Sequence, residues 1–118
     1  MGVTFVKAKV MSLAGKASVE GDFLVDTGAQ YTVVPRWVVE KLKLKPRKIQ
    51  EFVLADGQVV SRPIGTAILR FGGQETPTPI VLGEEKDSFL LGAVTLEELG
   101  LAVNPFTREI YSMKLMHI

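Results

Sequence analysis

Asp26-Thr27-Gly28 sets a carboxyl, a hydroxyl and an unhindered backbone in consecutive positions, directly after the apolar run Phe23-Leu24-Val25 and before Ala29. A carboxyl can take or give a proton during bond cleavage. An unpaired acid delivered by an apolar strand into a turn is costly, so Asp26 is expected to serve chemistry rather than packing. Gly28 lets the backbone aim an N–H at that carboxyl, and also permits a turn with positive φ. Thr27 supplies a hydroxyl that can cap its own turn. The competing chemistries lack residues. His117 is the only histidine and lies one residue from the end, which leaves Ser/His/Asp catalysis and His-rich metal sites unsupported. With no cysteine there is no thiolate, disulfide or Cys-based zinc chemistry. Of the four aspartates, Asp22, Asp56 and Asp87 stand in no second Asp-Thr/Ser-Gly loop, so one chain offers one such carboxyl.

The elements that must position Asp26 follow from hydrophobic periodicity. Thr4 to Met11 alternates Lys7 and Lys9 with Val6, Ala8 and Val10, and Lys16 to Val25 reads as its hairpin partner after the turn Ser12 to Gly15. Beyond the Asp loop, Tyr31 to Val34 is a strand. Pro35 suits the first position of a short amphipathic helix running to about Leu42, with Val38 and Leu42 on its apolar face. Glu51 to Leu54 and Gln58 to Ile64 flank Ala55-Asp56-Gly57, a dipeptide-driven turn that predicts a projecting hairpin. Thr66 to Phe71 and Thr78 to Leu82 are further strands, with Pro77 and Pro79 marking an edge or irregular start. Phe89 to Leu91 is a short buried strand, Thr95 to Glu98 has capping-box spacing for a second helix with Leu96 and Leu99 inward, and Gly100 is its stop. Leu101 to Val103, a turn at Asn104-Pro105 and Glu109 to Leu115 close the chain. The expectation is an all-β protein of about nine strands and two short helices, folded as a small closed or partly closed β-barrel.

At 118 residues the chain, 1–118, is a single domain, too short for two stacked units of about 100 residues each. Its net charge of +1 carries no electrostatic signature of a nucleic-acid or membrane partner. The basic cluster Lys41, Lys43, Lys45, Arg47 and Lys48 reads as a solvated helix end and loop, since only Trp37 could supply a nearby stacking aromatic. The N-terminal residues lack a signal-peptide pattern and no run of about 18 apolar residues occurs, so a cytoplasmic protein without a membrane segment is expected.

The loop, the hairpin around Asp56-Gly57 and the late Leu90-Leu91-Gly92 before a helix, in that order, resemble the retropepsin-like (clan AA) aspartic proteases over about Phe23 to Asn104. The resemblance implies a homodimer with one half-site per chain. Asp26 of each subunit would share a proton with its twin, one carboxyl activating water while the other hydrogen-bonds the scissile carbonyl, with no covalent adduct, metal or cofactor. Thr27 would bond across the dimer axis and Gly28 would aim its N–H at the carboxyl. Ala29 and Gln30 would contact a bound peptide, and Ala55, Asp56, Gly57 and Gln58 would form a flap over it, an ordinary surface hairpin being the alternative. Viral members place an Arg after the late glycine, paired with an acid two positions after the loop glycine. Here those positions hold Ala93 and Gln30, which points to a cellular or prokaryotic type rather than a viral one. The apolar tail from Glu109 to Ile118 could add interface strands.

Two functions follow as expectations. One is an aspartic endopeptidase acting on a peptide or protein substrate as a homodimer. The other is a catalytically weak or inactive retropepsin-like barrel that binds peptides or only dimerises.

Overall fold

The computed structural model describes residues 4–113, and expectations for Met1-Gly2-Val3, for the tail beyond Met113 and for His117 lie outside them. The chain runs β1 (Phe5–Met11), β2 (Ser18–Val25), β3 (Thr32–Val34), α1 (Arg36–Leu42), β4 (Lys48–Val53), β5 (Val59–Phe71), β6 (Gln74–Leu82), β7 (Leu90–Leu91), α2 (Ala93–Glu98), β8 (Leu101–Val103) and β9 (Ile110–Ser112). The described residues thus form a mostly-β fold of nine strands and two short helices. Seven strands make one sheet in the order β1-β2-β7-β3-β6-β5-β4, and β8 and β9 pair separately. β1 also meets β5 over Lys9 to Met11, which curls the sheet.

Of the closed or partly closed β-barrel expected, the closed form is corrected: β1 returns to β5 over only three residues, and the sheet keeps an open edge at β4. β4 pairs only with β5, and the β8-β9 ribbon stands outside the main sheet. The two stretches Gln58 to Ile64 and Thr66 to Phe71 are one 13-residue strand, so β5 serves two neighbours in succession. Its antiparallel register with β6 places Pro77 opposite Ile68 and Pro79 opposite Thr66. β6 tolerates both prolines because β3 joins its other side only from Ile80 onward, where backbone donors are needed.

Sheet and helices close on one core. Val10, Phe23, Val34, Leu69, Ile80 and Leu91 are fully buried, and Val38 and Leu42 of α1 and Leu96 and Leu99 of α2 join them. Pro35 is the residue before α1 rather than its first turn, and Lys43, in the left-handed region at φ 55°, ends the helix. The predicted capping box is not used. α2 begins earlier, at Ala93 after Gly92, because Thr95 is needed in the core, where its hydroxyl has buried partners. Gly100, at φ 70°, stops α2 as expected.

Candidate active site

β2 carries the chain to Asp26, and β7 sits between β2 and β3 to hold the loop from behind. β7 runs parallel to β2, pairing Leu24 with Leu90 and Val25 with Leu91, and antiparallel to β3, pairing Val33 with Leu90. The loop backbone is fixed from both sides. Asp26 N–H donates to Leu91 O at 3.0 Å, Ala29 N–H to Asp26 O at 3.2 Å, and Val25 N–H to Thr4 O at 2.9 Å.

The Asp26 carboxyl projects from this frame into solvent, and Gly28 N–H donates to its Oδ1 at 2.9 Å. The burial cost expected for this acid is therefore not met within one chain. Gly28 does not adopt positive φ; its role is close approach, since a Cβ there would lie 3.2 Å from Asp26 Oδ1. Thr27 is exposed, and among the described residues its hydroxyl bonds to nothing in its own chain, so it does not cap its own turn. The small cavity at Asp26, about 210 Å³, is walled by Thr4, Leu24, Thr27, Val103 and Arg108. Thr4 Oγ1 donates to Arg108 O at 2.7 Å, which ties the start of β1 to the turn between β8 and β9 beside this cavity.

Where viral retropepsins would carry an Arg–acid pair, backbone bonds and a hydroxyl chain do the joining. Ala93 N–H donates to Ala29 O at 2.9 Å and Val94 N–H to Gln30 O at 3.0 Å, so the start of α2 clasps the end of the Asp loop. Gly92 is packed against Tyr31 so closely that a Cβ would come within 2.6 Å of its carbonyl oxygen. Gly92 N–H donates to Thr32 Oγ1 at 3.0 Å, Thr32 and Thr95 hydroxyls lie 2.7 Å apart, Thr95 and Thr78 2.9 Å apart, and Thr78 donates to Glu98 Oε1 at 2.7 Å. Only one donor order satisfies every group: Thr32 to Thr95, Thr95 to Thr78, Thr78 to the carboxylate. Sequence reading missed Thr32, Thr78, Thr95 and Glu98. The available signal was three threonines inside otherwise apolar segments, where a hydroxyl needs a partner.

Ala55, Asp56, Gly57 and Gln58 form the exposed tip of the β4-β5 hairpin. Leu54 N–H bonds Gln58 O at 2.7 Å, Asp56 Oδ1 accepts from Gln58 N–H at 3.0 Å, and Gly57 turns the chain at φ 89°. None of the four lines the cavity at Asp26. The hairpin meets the end of the Asp loop just below its tip, where the rings of Tyr31 and of Phe52, paired with Val60 near the turn, stand edge to face with centroids 5.9 Å apart. Gln30 is exposed and Ala29 half-buried. Among the described residues no group of three His, Cys, Asp or Glu comes together to hold a metal ion, and no helix is long and apolar enough to cross a membrane.

Residues 12–98 match the family model described as gag-polyprotein putative aspartyl protease. The fold is similar to the solution structure of Simian Foamy Virus (mac) protease, with a TM-score of 0.58, 16% identity, and coverage of 81% of this chain and 94% of that one. It is similar also to EIAV protease complexed with the inhibitor HBY-793, with a TM-score of 0.58, 20% identity, and coverage of 84% and 89%. No curated protein matches the sequence. These findings overturn the assignment to a cellular or prokaryotic type: the matched family is of gag polyproteins and both similar folds are viral proteases. Loss of both partners of one ion pair is a poor marker of lineage, because backbone bonds and a hydroxyl chain can brace the same junction.

Proposed function

We propose that this chain, which belongs to the gag-polyprotein aspartyl protease family, is an aspartic endopeptidase that works as a homodimer with Asp26 of each subunit at one shared site. The observation that carries the reading is the Asp26 carboxyl itself. It is exposed, oriented by Gly28 N–H, and mounted on a loop tied to Leu91, with no second such loop in the chain. A twofold axis makes a residue meet its own copy, which turns one carboxyl per chain into two per site.

In this mechanism the two Asp26 carboxyls share one proton, because two like charges about 3 Å apart do not both ionise readily. The ionised member takes a proton from water as the oxygen attacks the scissile carbonyl carbon. The protonated member hydrogen-bonds the carbonyl oxygen as negative charge develops there, and proton transfer to the amide nitrogen lets the C–N bond break. Thr27, with no partner among the described residues of its own chain, supplies a hydroxyl to brace the opposite loop. Ala29 and Gln30 border the bound peptide, and Ala55 to Gln58 close over it and exclude water.

The test incubates the pure protein with a diverse peptide library from about pH 3 to 7 beside Asp26→Asn. Cleavage by the native chain and none by the variant is expected. Cleavage that survives the substitution overturns the mechanism; binding without cleavage by either protein favours a peptide-binding module.

A further inference from the structure

Beside Asp26 lies a second, wider recess of about 690 Å³, between β2 and the segment Asp87 to Leu90. Leu24 lines both recesses. The cavity exists because β7 is only two residues long. It covers β2 at Leu24 and Val25 and, among the described residues, leaves the same edge of β2 without a strand partner from Ser18 to Phe23. Leu24 N–H donates to Phe89 O at 3.1 Å on that edge, whereas Val25 N–H points the other way, to Thr4 O. Alternation along a strand therefore turns the backbone N–H and C=O of Asp22 and Glu20 toward the recess.

Its side chains are as selective as its backbone. Cross-strand register lines up Phe5, Leu24, Leu90 and Val33 as one apolar row, each at least partly exposed. Around the row stand three carboxylates, Glu20, Asp22 and Asp87, against one ammonium, Lys7. Lys7 is spent on Asp22 at 3.6 Å, and Asp87 Oδ2 accepts from Glu84 N–H at 2.7 Å. Among the described residues Glu20 makes no ion pair or hydrogen bond through its side chain.

We propose that the open edge of β2 binds an extended peptide segment as an added strand, with an arginine or lysine side chain directed to Glu20. An open strand edge recognises an extended chain through main-chain hydrogen bonds. A long basic side chain fits an apolar row with a carboxylate beyond it, since its stem lies on the row while its charged head reaches the acid. Asp26 lies two residue steps along the chain from Leu24, a span of about 7 Å at roughly 3.3 Å per residue. A substrate held at Asp26 can thus reach this edge with residues a few positions from the scissile bond. That last step rests on the endopeptidase reading, whereas binding at the edge does not.

The probe is a fluorescein-labelled eight-residue peptide alternating valine and arginine, titrated into full-length Asp26→Asn so that no cleavage intervenes. Controls are the valine–glutamate counterpart and the valine–arginine peptide N-methylated on alternate amides. The arginine peptide should bind at least about tenfold more tightly than either control, shift the backbone amide resonances of Glu20 to Asp22, and weaken about tenfold on Glu20→Lys, with Glu20→Gln intermediate. Equal binding of all three peptides, or shifts confined to Asp26 and Thr27, overturns the proposal. Edge binding by a native chain that cleaves nothing supports the docking site and sinks only the protease reading. Cleavage by the native chain with no preference for a nearby basic residue and no edge binding does the reverse.

Discussion

Asp26 is chemically ready but mechanically unburdened. It is exposed, and among the described residues its side chain has one bond, from Gly28 N–H, so replacing it should change chemistry and little else. Asp26→Asn is expected to lower kcat by about 10²–10⁴-fold or more while leaving the denaturation midpoint of the isolated chain within error, checked by peptide hydrolysis and urea titration in parallel. Thr27 separates two roles that the sequence leaves open. Because Thr27 has no partner among the described residues of its own chain, Thr27→Ala should leave chain stability unchanged and weaken self-association, measured by sedimentation across a concentration series. The same dissociation constant for native and variant chains would remove the bracing role.

At the scale of elements, the site depends on how β7 and α2 grip the Asp loop. Thr95 is buried, accepts from Thr32 and donates to Thr78. Thr95→Val keeps the shape but leaves the buried Thr32 hydroxyl without an acceptor and removes the bond that Thr78 accepts, so a loss of about 1–3 kcal/mol in urea unfolding is expected. Gly92→Ala would push a methyl group into Tyr31 backbone, where the neighbour is main chain and cannot swing aside. It should cost about 1–3 kcal/mol and depress activity beyond its effect on stability, because Leu91, next to it, holds Asp26 N–H. A fully active, equally stable Gly92→Ala would show that this contact does not position the loop.

Legibility in the sequence varied with the range of the interaction. The Asp loop, the β4-β5 hairpin, α1 and the stop of α2 at Gly100 all rest on neighbours within a few residues, and all were readable. The start of α2 was misread because Thr95-x-x-Glu98 has the spacing of a cap, while its actual partners are Thr32, 63 residues away, and Thr78, 17 away. Likewise β5 looked like two strands at Gly65, yet it pairs continuously with β6 on one side and in succession with β4 and β1 on the other.

For the whole molecule, the central prediction concerns number rather than shape. If the site needs two Asp26 carboxyls, activity per chain should fall steeply on dilution below the dissociation constant. Mixing equal amounts of native and Asp26→Asn chains, after full exchange, should leave only about a quarter of the dimers with two native loops. A linear mixing curve, or activity from a chain that sediments as a monomer, would overturn the shared site.

The sequence by itself determined the family and the groups a site can use: one Asp-Thr-Gly loop, no thiol, one distal histidine, and an order of motifs shared with a protease family. Those are local facts, carried by residue type and by spacings short enough for the backbone to fix. Only the tertiary structure decided that the carboxyl faces solvent, that the sheet stays open at β4, that hydroxyls and α2 backbone bonds brace the loop where Ala93 and Gln30 leave no ion pair, and that β2 keeps a bare edge beside Leu24. The reason is physical: exposure, edge and hydrogen-bond partner are properties of what a distant segment covers, and no residue carries that information alone.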